Sequence, residues 1–125
     1  MPNGRSRVLL VEDDPQICEF LQDALTDEGF DVRVAATGRV ALDVLGQWRP
    51  GLILLDLRMP DLDGWEFRAE QRARPDVAAI PVVVTTAGTT PQEDLAALAP
   101  AAVVSKPFDL DELLTTVRRC LEASS

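Results

Sequence analysis

The 125-residue sequence contains no histidine and no tyrosine, only one lysine against eleven arginines, and only two cysteines. Without histidine there is no imidazole base, no imidazole metal ligand and no phosphohistidine carrier, so a nucleophile must be Asp, Glu, Ser, Thr or Cys. Cys18 and Cys120 form no CxxC motif and fall on helix-like patterns, which reads as reduced packing thiols rather than a redox or metal pair. Long apolar runs are missing too. Val8 to Val11 and Leu52 to Leu55 are far shorter than the roughly 20 residues of a membrane helix, which argues against a membrane span. Basic charge is scarce: twelve Lys and Arg face twenty-one Asp and Glu, a net charge of −9 that repels phosphate backbones and anionic lipid and argues against direct nucleic-acid binding. The N-terminal stretch enters a strand-like run without the apolar segment of a secretory signal, and the chain reads as cytoplasmic.

The residues present are 46% apolar and 26% charged, enough for a core without disulfide staples, and the length suits one domain over 1–125 with about 6–122 ordered. Strand-like and helix-like segments alternate five times. Val8 to Val11 is a strand buried on both faces, and Asp14-Pro15 follows as an N-cap with proline in the first helical turn. Ile17, Phe20, Leu21, Ala24 and Leu25 recur at helical spacing until Gly29, and Val32 and Val34 mark a second strand. Thr37 caps a second helix expected to bury Val40, Ala41, Val44 and Leu45, after which Leu52 to Leu55 is a third buried strand closed by Asp56. A loop over 57–63 leads to a helix from Gly64 or Trp65 to Arg74, and Pro81 to Thr85 is strand four. Thr90-Pro91-Gln92-Glu93 has the form of a capping box opening a short helix that Pro100 ends. Ala102 to Ser105 is strand five, and Asp109-Leu110-Asp111-Glu112 opens a last helix with Leu113, Leu114 and Val117 toward the core. Repeated βα units with right-handed crossovers give a parallel sheet covered on both faces, a three-layer α/β sandwich.

In such sheets ligands bind beyond the carboxyl ends of the strands. Those ends carry Glu12, Asp13 and Asp14, then Asp56, then Thr85 and Thr86, then Lys106. Carboxylates gathered at one edge raise one another's pKa and call for a cation, and an all-oxygen set suits Mg²⁺. Asp14, directly before Pro15, is assigned to capping rather than to metal. Lys106 is a compact point charge in a chain that otherwise uses arginine, as an anion arriving at one spot requires.

Val11-Glu12-Asp13-Asp14-Pro15, Leu54-Leu55-Asp56-Leu57-Arg58-Met59-Pro60 with Asp63-Gly64, Thr86-Ala87, and Lys106-Pro107-Phe108, in this order at four strand ends, resemble the receiver domain of two-component response regulators. The resemblance implies a flavodoxin-like (βα)5 fold with strand order 2-1-3-4-5. It implies Asp56 as the nucleophile that accepts a phosphoryl group from a phosphohistidine of a sensor kinase or phosphotransfer protein. It further implies that Asp13, Asp56 and the backbone carbonyl of Arg58 bind Mg²⁺ directly, and that Glu12 acts largely through a metal-bound water. Lys106 and Thr86 would contact phosphoryl oxygens, Thr85 pointing elsewhere, and the Lys106–Pro107 bond would be cis.

Two departures from the family pattern bear on output. Val103 stands where an aromatic residue is usual in the family, which predicts that signalling through the last two helices and the strand between them is muted or uses another route. Ala99-Pro100 replaces a glycine-containing turn. The expected targets are a downstream protein or output domain, or a second copy as a homodimer. The main alternative is an adaptor or dimerisation domain that works without phosphorylation. A Mg²⁺-dependent phosphatase, an enzyme, would need Asp two residues beyond Asp56, where Arg58 stands, and glycines for a phosphate loop after strand one are missing.

Overall fold

The computed structural model describes residues 7–59, 62–87 and 90–124; Pro60 and Gly88, and residue 6 of the expected ordered span, lie outside the described residues. Ten elements alternate: β1 (Arg7–Val11), α1 (Pro15–Asp27), β2 (Asp31–Ala35), α2 (Gly38–Leu45), β3 (Leu52–Asp56), α3 (Gly64–Arg72), β4 (Val82–Thr86), α4 (Gln92–Ala96), β5 (Ala102–Ser105) and α5 (Leu110–Ser124). The strands form one parallel sheet in the order β2-β1-β3-β4-β5, the expected flavodoxin-like arrangement.

Period-two alternation along the buried strands divides the core between the two faces. Leu9, Val11, Ile53, Leu55, Val82 and Val84 pack with Ala41, Leu45, Phe67 and Leu98 of the α2–α3–α4 side. Val8, Leu10, Leu52, Leu54, Val83 and Val104 pack with Leu21 and Leu25 of α1 and with Leu113, Leu114 and Val117 of α5. The central strands are therefore apolar over residues 8–11, 52–55 and 82–84, and at their carboxyl ends Glu12, Asp56 and Thr85-Thr86 bring polar groups to the sheet edge.

Helix α1 starts where expected, with Asp14 accepting from the backbone N–H of Gln16 at 2.9 Å and of Ile17 at 3.3 Å. Thr37 caps α2 through Val40 N–H at 3.1 Å, and Asp109 caps α5 through Glu112 N–H at 3.2 Å. Helix α3 has a reciprocal capping box that the sequence reading did not single out, Asp63 with Glu66.

Three local expectations are corrected. Val40 is 44% exposed while Leu42 is buried, because α2 turns Gly38, Ala41, Leu42 and Leu45 inward. A Cβ on Gly38 would lie 2.9 Å from the Leu62 carbonyl oxygen, so close contact with that loop sets the rotation of the helix. Thr90 does not cap α4: the N-cap is Pro91, and no side chain closes that end. Helix α3 stops at Arg72 rather than Arg74, where Arg74 instead donates to the Leu42 carbonyl at 3.2 Å.

A polar clasp fixes the far end of α4. Arg68, on α3, donates through Nε to the Leu98 carbonyl at 2.8 Å, through one terminal nitrogen to Ala99 O at 3.1 Å and through the other to Gln71 Oε1 at 2.8 Å. Arg72 adds a 2.8 Å bond to the same Leu98 carbonyl, while Gln71 donates to Val77 O and Ile80 O. These bonds stabilise the turn in which Ala99 adopts a left-handed φ of 47°. The indole N–H of Trp65 bridges α3 to α4 by donating to Asp94 O at 3.1 Å. At the opposite end of the sheet, the guanidinium carbons of Arg7 and Arg33 lie 5.4 and 4.9 Å from the ring centre of buried Trp48.

Candidate functional site

The site lies at the carboxyl ends of β1, β3, β4 and β5. Glu12 follows β1 and is only 2% exposed; its Oε2 accepts the Asp14 N–H at 3.1 Å, and its own backbone N–H continues the sheet by donating to Ala35 O at 3.0 Å. Asp56, 5% exposed, is the last residue of β3, and its Oδ1 accepts the Arg58 N–H at 3.1 Å. Asp13 is exposed. One carboxylate oxygen from each of Glu12, Asp13 and Asp56 lies within 4.8 Å of the others.

Lys106 enters from the end of β5, where its backbone N–H donates to Thr86 O at 2.7 Å and its bond to Pro107 is cis, as the resemblance implies. Its Nζ lies 3.3 Å from Glu12 Oε1 and 3.3 Å from Asp56 Oδ2. Burial pushes the Glu12 carboxyl up to about 7; the Asp14 N–H pulls the other way, but the Asp56 charge and a shared hydrogen bond with Asp56 add to the rise. Burial alone would depress the Lys106 ammonium, but the Asp56 and Glu12 charges outweigh it and hold its pKa above the ordinary lysine value. The edge thus concentrates more negative charge than one ammonium offsets.

The two threonines separate by the strand alternation. Thr85 is the register partner of Asp56, and its buried hydroxyl makes a long 3.5 Å contact with Leu55 O. Thr86, one residue further, has its hydroxyl oxygen 3.2 Å from that of Thr90. The contact with Thr90 is not evident from the sequence, where a second hydroxyl four residues on fits a capping position equally well. The Cys18 thiol donates to Glu12 O at 3.1 Å, a contact beyond the packing role its helical spacing suggests. Gly64 owes its place to close approach: a Cβ would lie 2.5 Å from Leu57 Cδ2 and 3.1 Å from Leu57 Cα, directly beside Asp56. Val103 is 41% exposed and faces a cavity of about 380 Å³ with Thr86, Thr90, Leu95 and Ser105. Leu98 is buried and Leu95 packs partly against the same core, so both serve packing. Among the described residues, no helix is long and apolar enough to cross a membrane.

Three carboxylates of which two are buried, in an all-oxygen set, are consistent with a hard divalent cation such as Mg²⁺.

Comparison with known proteins gives the same picture. Response regulator MprA of Mycolicibacterium vanbaalenii is 37% identical over 121 residues, covering 95% of this chain and 52% of that protein, so the chain spans about half the length of this relative. Among solved structures, the chemotaxis response regulator CheY4 of Vibrio cholerae matches with a TM-score of 0.86 at 30% identity, over 93% of this chain and 98% of that one. The receiver domain of sensor histidine kinase PA1611 from Pseudomonas aeruginosa PAO1, solved with a magnesium ion coordinated in its active site cleft, matches with a TM-score of 0.85 at 28% identity, over 94% of this chain and 98% of that one. The model of the response regulator receiver domain family matches residues 8–118, and with four carboxyl strand ends carrying Glu12, Asp56, Thr86 and Lys106, this chain belongs to the receiver domains of two-component response regulators.

Proposed function

We propose that the chain is a phosphoacceptor switch in which Asp56 takes a phosphoryl group from a phosphohistidine of a sensor kinase or phosphotransfer protein. The observation that carries this reading is the buried Asp56 carboxylate with Lys106 Nζ at 3.3 Å and two further carboxylates within 4.8 Å.

A carboxylate oxygen of Asp56 attacks phosphorus; the new P–O bond forms as the P–N bond breaks, and its electron pair leaves with the donor imidazole. Lys106 answers the negative charge on the phosphoryl oxygens, and the Thr86 hydroxyl donates to another of them. Asp13, Asp56 and the Arg58 carbonyl would hold Mg²⁺, with Glu12 acting through a water. When bound, that ion supplies charge neutralisation at an edge where Lys106 alone is insufficient. Proton transfer has little part in such chemistry, which accords with a chain lacking histidine.

The group stays on the protein, so the chain acts in the cytoplasm as a switch rather than an enzyme turning over an external substrate. Its output goes to a downstream protein, an output domain or a second copy, through surface contacts. Val103 cannot swing a ring inward as an aromatic side chain does, so coupling through α4, β5 and α5 is muted or takes another route.

The test is intact-protein mass spectrometry after incubation with acetyl phosphate and Mg²⁺, beside Asp56→Asn and beside a chelated sample. One phosphoryl mass gained only with Asp56 and Mg²⁺ is the expected result. No gain where Mg²⁺ binding is demonstrated would favour an adaptor that works without phosphorylation.

A further inference from the structure

Thr86 has one hydroxyl and, in this structure, a partner for it outside the acidic cluster. Its oxygen lies 3.2 Å from Thr90 Oγ1, and both residues line the cavity of about 380 Å³ between α4 and β5. Glu12, Asp13, Asp56 and Lys106 do not line that cavity. The backbone of Thr86 is tied into the sheet, its carbonyl accepting Lys106 N–H at 2.7 Å, so its hydroxyl changes partners mainly by rotating about χ1.

Thr90 is not occupied elsewhere by the helix it precedes. The first residue before α4 is Pro91, and no side chain caps that helix. The Thr90 hydroxyl is therefore spent on Thr86 rather than on an orphan backbone N–H.

The chemistry of the two hydroxyls gives this contact a consequence. A threonine hydroxyl has a single proton to donate, and the oxygens of a dianionic phosphoryl group only accept. Where Thr86 is the donor in its contact with Thr90, serving a phosphoryl group on Asp56 means redirecting that one proton away from Thr90.

We propose that Thr90 is a positioning residue that holds the Thr86 hydroxyl on the cavity side until a phosphoryl group competes for it, and so sets how readily Asp56 is phosphorylated. The proposal rests on the reading of Asp56 as phosphoacceptor and Thr86 as its hydrogen-bond donor.

The experiment is the rate of phosphorylation by acetyl phosphate with Mg²⁺, followed by intact mass, for the wild type, Thr90→Val, Thr90→Ser, Thr86→Val and the double variant Thr86→Val/Thr90→Val. Thr90→Val keeps the shape and removes the bond, and is expected to react about three- to tenfold faster, the worth of one such hydrogen bond. Thr90→Ser restores the hydroxyl and returns the rate toward that of the wild type. In the Thr86→Val background, the Thr90→Val acceleration disappears, which a general loosening of the loop would not produce. A Thr90→Val rate that is unchanged or slower, while the wild type is phosphorylated normally, overturns the proposal. So does an acceleration that persists without the Thr86 hydroxyl. No mass gain in the wild type would overturn the Asp56 assignment itself, and the proposal with it.

Discussion

The Lys106 ammonium stands 3.3 Å from Asp56 Oδ2 and the same distance from Glu12 Oε1, so one cation is shared between two nearly buried carboxylates. Lys106→Met keeps much of the side-chain length and leaves both carboxylates without that charge. Urea unfolding at pH 8 in the absence of Mg²⁺ is expected to show a loss of about 1–3 kcal/mol, the range for a charged hydrogen-bonded group left uncompensated. Phosphorylation by acetyl phosphate is expected to slow by about 10²-fold, as when one preorganised group facing transition-state charge is removed. Lys106→Arg restores charge but not the compact ammonium, and recovers the rate only in part.

Glu12 is expected to make Mg²⁺ binding pH-dependent. Its folded pKa of about 7 lies above the ordinary carboxylate value of 4.5, so the metal-free fold retains a proton there that the unfolded chain has released. This group's contribution to stability is fully present below pH 4.5 and is lost as pH rises through about 7. A cation needs the ionised form, so Mg²⁺ affinity is expected to rise by about tenfold in all between pH 6 and 8. Calorimetric titrations across that range check this, and a flat profile in Glu12→Gln would assign the dependence to this carboxyl.

Gly64→Ala tests whether the loop after Asp56 is held by close packing. The new Cβ would meet Leu57 at both its side chain and its Cα, and backbone at 3.1 Å cannot yield as a side-chain tip can. The cost is expected at about 1–3 kcal/mol by denaturant unfolding, with slower phosphorylation because Leu57 follows Asp56 directly.

Arg68→Met removes the buried donors that serve Leu98 O, Ala99 O and Gln71 Oε1. A loss of about 2–4 kcal/mol is expected, chiefly from Ala99 O and Gln71 Oε1 losing this donor, since Arg72 still serves Leu98 O. Amide hydrogen exchange should accelerate most over residues 97–101, where Ala99 depends on this support for its left-handed backbone.

The strand order and the strand-end acids were legible because fully buried strands read as continuous apolar runs, and the first polar residue after each run marks the sheet edge. Glu12, Asp56 and Lys106 could be grouped on that basis alone, and Asp14-Pro15 declared its capping role through a proline that helix starts favour. What could not be read depended on contacts distant in sequence. Val40 and Leu42 both suit an apolar face, and the approach of Leu62 to Gly38 decides between them. Nothing local shows that the Leu98 and Ala99 carbonyls await Arg68, or that Val77 O and Ile80 O await Gln71. Thr90 fitted a cap by spacing, but its hydroxyl found Thr86 instead.

The chain's two tryptophans sit at opposite ends of this arrangement. Trp48 is buried, with the guanidinium groups of Arg7, at the start of β1, and of Arg33 against its ring. Trp65 ties α3 to α4 through the Asp94 carbonyl and is partly open to water. The protein therefore carries its own optical gauge: Trp65 emission follows any separation of those two helices, while Trp48 supplies an internal reference, and no label need be introduced.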